Sequence, residues 1–255
     1  MKSRSQRKPI EAICPARCRD CALRVNPAFL PVSLDELQAI ENFRTGSRAF
    51  SAGSTICAEH RVDSELYTLY AGWAFRFKTL SDGRRQILSF LLPGDFVGLQ
   101  DEFVDGQTYG VEAVTACVLC RFPRKKLWPL FDAHPRLGYA VSWLTARGEK
   151  IVDDNLLTVG RRNAVERVAM LLMHLYRRAE RVGLAEDDGI DFPFNQQHIA
   201  DALGLSLVHT HKTLRRLQQL GLHELKSGRL RICNAAALEQ LGDYFERPMQ
   251  AVPLV

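Results

Sequence analysis

Two groups of residues in this chain have the type and spacing to do chemistry. The first is cationic. Between Gly204 and Ile232, Lys212, Arg215, Arg216, Lys226, Arg229 and Arg231 stand against Glu224 alone, a local +5 that equals the excess of all 255 residues. A basic surface of this kind suits phosphate binding. The second group is sulfur: seven cysteines, three of them spaced Cys14-x3-Cys18-x2-Cys21. The basic start (Lys2, Arg4, Arg7, Lys8) leads into cysteines and charges instead of an apolar export segment. An odd cysteine count without an export signal favours reduced thiols or metal ligands over a disulfide framework, and a cytoplasmic location is expected. His209-x-His211 is a poor metal pair, because residues two apart point to different faces of a helix.

The cations need elements to hold them, and Asn195 to Leu222 supplies the pattern. The spacing predicts a first helix over 196–203 that packs through Ile199 and Leu203, with the small Ala200 where a second helix crosses. Gly204 follows where a tight turn requires positive φ. Ser206 then caps a second helix reaching Leu220, which buries Leu207, Leu214 and Leu217 and shows Val208, His209, His211, Lys212, Arg215 and Arg216 on the opposite face. After Gly221 the run to Ile232 turns at Ser227-Gly228 and reads as a β-hairpin wing. Helical hairpins are common. Joined to a basic exposed second helix and a basic hairpin, this one reads as a winged helix-turn-helix. In that mode the N-terminal half of the second helix reaches base edges in the major groove. His211 and Lys212 are then the base readers, and Ser206, His209, Arg215 and Arg216 touch phosphates.

The remaining chain reads as a sensor and a connector. Residues 1–30 lack apolar periodicity and form an arm. Ser33 with Glu36 makes a capping box for a short helix. From 46 to 124, turn signals such as Ala52-Gly53, Ala71-Gly72, Pro93-Gly94-Asp95 and Asp105-Gly106 separate β-rich runs too closely for crossover helices. An antiparallel sandwich or barrel follows over 31–134. Past Pro135 the period is helical: Leu137, Val141, Leu144, Gly148, Ile151, Asn155 and Thr158 recur at 4-3 spacing over 135–160. This fits a dimer seam, and it fits packing against the barrel. A further amphipathic helix over 162–181 ends at Gly183, an acidic loop follows at 186–189, and 161–245 forms the C-terminal domain before a tail at 246–255. The longest apolar runs fall short of the roughly 18 residues that span a bilayer.

Over nearly its whole length the chain resembles the CRP/FNR family of bacterial transcription regulators. The resemblance rests on the glycine-punctuated β region with Pro93-Gly94-Asp95-Phe96-Val97-Gly98, the helix after Pro135, Arg161-Arg162-Asn163-Ala164-Val165-Glu166-Arg167-Val168, and Ile199 to Ser206. It implies an α+β chain: a cyclic-nucleotide-binding-like β jelly roll, a long dimerisation helix and the winged helix-turn-helix. It also implies a homodimer, a roughly palindromic double-stranded operator and contact with RNA polymerase. The recognition helix departs from the familiar subgroups, with Val208, His211 and Lys212 where relatives often carry Glu, Ser or Gly, and Arg. It is similar to an α-proteobacterial-type subgroup of FNR/FixK-like regulators.

The resemblance also frames the signal. Cyclic-nucleotide binders of the family carry an Arg for the phosphate, whereas Val97 to Glu102 and Gln107 to Ala113 contain none. Burying an anion without a cationic partner is unfavourable, so a cyclic nucleotide is not expected. Cys120 stands where FNR has its internal cluster ligand. With Cys14, Cys18 and Cys21 it makes four thiolates that could hold a 4Fe–4S cluster or zinc. The arm departs from the FNR spacing, which would place a ligand at Pro27, so Cys14 must replace it. Such a cluster would make the regulator responsive to oxygen or redox state; a metal-free regulator of the same fold, responding to a small ligand or controlled by its own expression level, is the competing expectation. Cys117 reads as a core residue or reserve ligand, and Cys57 and Cys233 as packed thiols. With only His60 in the barrel region and no nucleophilic triad, paired carboxylates or phosphate loop, an enzyme is not expected.

Overall fold

The computed structural model describes residues 14, 15, 17–61, 63–99, 109–187, 189–244 and 251–255. Ser33 accepts from Glu36 N while Glu36 accepts from Ser33 N, and this capping box starts α1 (Leu34–Phe43). Eight short strands follow: β1 (Gly46–Phe50), β2 (Thr55–Cys57), β3 (Glu65–Ala71), β4 (Ala74–Thr79), β5 (Arg85–Leu91), β6 (Phe96–Val97), β7 (Gly110–Ala113) and β8 (Cys117–Pro123). They pair in two antiparallel sheets, ordered β1-β8-β3-β6 and β2-β7-β4-β5. Tyr67, Leu69, Ala74, Val111 and Leu119 close the space between them. This is the expected jelly-roll sandwich. The segment 100–108, which holds Gln100, Asp101, Glu102, Gln107 and Thr108 of the nucleotide-site comparison, lies outside the described residues, as do the basic start and residues 245–250.

The helices α2 (Leu127–Ala133) and α3 (Pro135–Arg161) lead away from the sandwich, with Pro135 in the first turn of α3 where its missing N–H costs nothing. The stripe on α3 faces inward. Leu137, Val141, Leu144 and Thr158 are at most 8% exposed, Ile151 is half-buried, and Asn155 donates to Leu88 O at 2.7 Å. Leu137, Val141 and Leu144 pack against their own sandwich, while Ile151 and Asn155 keep part of their surface.

Asn163 caps α4 (Ala164–Arg181), whose Val168, Ala169, Leu172 and Leu175 are fully buried. Around the acidic stretch, where a loop was expected, β9 (Ala185–Glu186) and β10 (Gly189–Asp191) pair antiparallel and join the two wing strands in a third sheet. Gly189 is required there, since a Cβ would meet Leu230 O at 2.2 Å. Then come α5 (Gln196–Leu203), α6 (Leu207–Gln219), the wing strands β11 (His223–Lys226) and β12 (Arg229–Ile232), and α7 (Ala235–Gly242). No helix among the described residues is long and apolar enough to cross a membrane.

Sandwich and C-terminal unit share one core. Trp73 and Phe90 from the sandwich pack on Phe194, ring centroids 5.4 and 4.4 Å away, and Phe75 lies 5.2 Å from His198. A buried ion pair reinforces the joint. Asp95 accepts from Arg178 of α4 at 2.5 Å, from Arg147 of α3 at 3.0 Å and from Leu92 N at 2.8 Å. Burial would raise the Asp95 carboxyl, but Arg178 and then Arg147 hold it below the usual carboxylate range.

Candidate nucleic-acid interface

Asn195 accepts from His198 N to start α5, and Gly204 ends it at φ +62° and ψ +37°, the left-handed conformation the turn demanded. Ser206 accepts from His209 N at 3.2 Å and starts α6. The buried face of α6 is Thr210, Thr213, Leu214 and Leu217; Leu207, expected inside, is 48% exposed. It is the first residue of α6. Thr213 Oγ1 satisfies itself on His209 O, which lets a hydroxyl occupy the inner face.

Ser206, Val208, His209, His211, Lys212, Arg215 and Arg216 are all exposed, on one helix. Among the described residues, none of Lys212, Arg215 and Arg216 has an acidic partner within ion-pair distance. The wing differs from its charge count. Arg229 pairs with Asp191 at 2.9 Å and Glu186 at 3.1 Å, so it ties β12 to the preceding hairpin, while Lys226 and Arg231 stay exposed. Ser227 and Gly228 both have positive φ, 52° and 75°, the turn that matches strand twist in a two-residue hairpin.

Two features of this unit were not legible in the sequence. Gln196, first residue of α5, reaches His211, Oε1 to Nδ1 3.2 Å. Both line a groove of about 420 Å³ between α6 and β11, with Leu214, Arg215, Gln218 and His223. On the other side α5 rests on the sandwich: Arg85 of β5 bonds Asp201 at 3.2 Å and Gln86 donates to Ala202 O at 3.0 Å. Only tertiary contact could reveal either, since the partners lie 15 and 116 residues apart.

Four of the cysteines lie near one another. Cys14 and Cys18 are buried, Cys21 and Cys120 half-buried. The Cys14 and Cys120 sulfurs are 3.3 Å apart, and Arg44 donates to Cys14 at 3.3 Å. The hydrogen bond from Cys120, then Arg44, lowers the Cys14 thiol, and the same bond raises Cys120. The Tyr70 phenol, raised first by burial, also feels Cys21, Cys14 and Cys120, so these three thiols share one neighbourhood. Among the described residues no set of three or more ligand-type side chains is already arranged around a metal position. Cys117 is a core thiol that donates to Trp73 O, and burial pushes it up to about 11. Cys57 is buried as expected; Cys233, expected to be packed, is exposed because it follows the last wing strand.

Comparison with known proteins matches this architecture. The family described as cyclic nucleotide-binding domain covers residues 47–134, and the Crp-like helix-turn-helix domain covers 166–241. The nitrogen fixation regulation protein FixK of Bradyrhizobium diazoefficiens is 30% identical over 226 residues, 88% of this chain and 93% of that one. The transcriptional activator protein FnrL of Cereibacter sphaeroides is 30% identical over 232 residues, covering 89% and 92%. The solved structure of FixK2 from Bradyrhizobium japonicum superposes with a TM-score of 0.71 at 28% identity, over 78% of this chain and 96% of that one. With a jelly-roll domain, a long connecting helix and a basic winged helix-turn-helix in one chain, this protein belongs to the CRP/FNR family of DNA-binding transcription regulators.

Proposed function

We propose that two copies of the chain bind a roughly palindromic duplex with one α6 in each of two successive major grooves. The observation that carries this is the exposed, acid-free face of α6. His211 and Lys212 read base edges, and Ser206, His209, Arg215 and Arg216 hold phosphates, with Val208 free to meet a thymine methyl. Domain boundaries follow the sequence reading: arm 1–30, sensor 31–134, connector 135–160, DNA-binding unit 161–245 and tail 246–255. The dimer face of α3 is the side away from the sandwich, where Tyr139, Leu156 and Leu157 are 74%, 67% and 51% exposed. Contact with RNA polymerase and a role in activation are supported by kinship with proteins named as transcriptional activators. Residence in the cytoplasm follows from the same role.

The signal enters through sulfur. Four thiols with a guanidinium at their edge are a donor set suited to an anionic iron–sulfur group, and Cys14, Cys18, Cys21 and Cys120 would hold a 4Fe–4S cluster. Such a group would supply an oxygen-labile centre whose loss switches the protein between aerobic and anaerobic states. Arg44 balances charge, and Cys120 ties the arm to β8, so that arm position reports the state of the site. The 3.3 Å contact favours one second reading, in which hydrogen peroxide takes two electrons and two protons from Cys14 and Cys120, leaving a disulfide and two waters. Anaerobic purification with iron and sulfide analysis decides between them. Brown protein that bleaches in air, and is colourless as Cys120→Ala, supports the cluster. Colourless protein that forms the Cys14–Cys120 disulfide with peroxide supports the thiol pair. Colourless protein inert to both, still binding promoter DNA, removes the sulfur site from the function.

A further inference from the structure

A histidine on a recognition helix can donate or accept, and its tautomer decides which bases it selects. Here a second element bears on that choice. Gln196 is held at the start of α5 by the Asn195 cap, and the αL turn at Gly204, with Leu205 N donating to Ala200 O at 3.1 Å, sets α5 against α6. Across that turn the Gln196 Oε1 faces His211 Nδ1 at 3.2 Å. A carboxamide oxygen accepts only, so Nδ1 carries the proton. A neutral imidazole has one N–H. With it committed to Gln196, Nε2 is a bare lone pair.

We infer that Gln196 is a specificity-determining positioning residue: by holding the His211 proton on Nδ1, it presents Nε2 to DNA as an acceptor. An acceptor in the major groove selects a base with an exocyclic amine, adenine N6 or cytosine N4, over guanine O6 and thymine O4. Its neighbours on the face differ in kind. Lys212, Arg215 and Arg216 donate only, and Val208 does neither. Lys212 therefore complements His211, favouring guanine at its own position. The inference rests on His211 reading a base.

The test is a binding-site selection with full-length protein on duplexes randomised over both half-sites, run for wild type, His211→Ala, Gln196→Met and Gln196→Glu. Gln196 is a partly exposed helix-start residue, so both of its variants are compared at matched folded concentration, checked by circular dichroism. Wild type is expected to prefer adenine or cytosine at one position per half-site by about fivefold or more. His211→Ala flattens that position alone. Gln196→Met, which frees both tautomers, lowers the preference below about twofold, and Gln196→Glu, an acceptor like the amide oxygen, keeps it. A Gln196→Met protein that keeps the wild-type preference overturns the role of Gln196 while His211 remains a reader. A preference for guanine or thymine in wild type that turns to adenine or cytosine in Gln196→Glu shows that the amide nitrogen faces the ring, and overturns it as well. A wild-type preference for guanine or thymine at the His211 position has the same consequence. If His211→Ala changes no position, the base-reading assignment falls, and the inference with it.

Discussion

His223 offers a quantitative test of how the wing is held. It opens β11 opposite Ile232 and is 2% exposed, yet neither ring nitrogen has a hydrogen-bond partner among the described residues. Burial pushes its pKa down from 6.5 to about 4. Below pH 6.5 the unfolded chain binds a proton that the folded chain refuses until about pH 4, so stability falls as pH drops through that window. At about 1.4 kcal/mol per unit, the loss from this residue is about 2 kcal/mol between pH 7.5 and 5, and about 3 kcal/mol by pH 4. His223→Leu keeps similar volume and removes two orphaned nitrogens, each class of which costs about 1–3 kcal/mol when buried unpaired. The variant is expected to exceed wild type by about 1–2 kcal/mol at pH 7.5, with the gap widening by about 2 kcal/mol at pH 5. Urea unfolding of both proteins at pH 7.5, 6.5 and 5.0 measures the gap. His174, pushed down to about 3 by burial and then by Arg178, Arg147 and Lys150, and His198, lowered by burial and Arg85, add slopes of the same sign to both proteins. The difference between variants isolates His223. A gap that is constant or shrinks toward pH 5 would refute an unsolvated, unpartnered imidazole.

Asp95→Ala leaves Arg178 buried without its carboxylate, and a loss of about 3–5 kcal/mol in urea unfolding is expected, against under about 1 kcal/mol if water reaches the guanidinium. Lys212→Ala should cost about 1–3 kcal/mol on the selected site and relax preference at one base pair per half-site. An equal loss on random duplex would move Lys212 to the phosphate contacts. Arg216→Ala should flatten the salt dependence of binding without altering base preference, and a changed preference in the selection would overturn its phosphate role.

Local rules carried much of the structure. The Ser33, Gly204 and Ser206 signals, the Ser227-Gly228 turn and the spacing of Ile199, Leu203, Leu214 and Leu217 are written in neighbouring residues, because caps, tight turns and helix faces are decided within one or two turns of chain. Family kinship likewise lay in contiguous motifs. What a stripe packs against is a different matter. The 4-3 spacing on α3 specifies an apolar face and not its partner, and only the fold placed Leu137, Val141 and Leu144 on their own sandwich. The buried Asp95–Arg178 pair, the docking of Asp201 on Arg85, the thiol contact between Cys14 and Cys120 and the Gln196–His211 bond join residues far apart in sequence. Composition can count such charges and thiols. Which of them meet, and so which are tied and which are free for DNA, depends on chain crossings that no local period encodes.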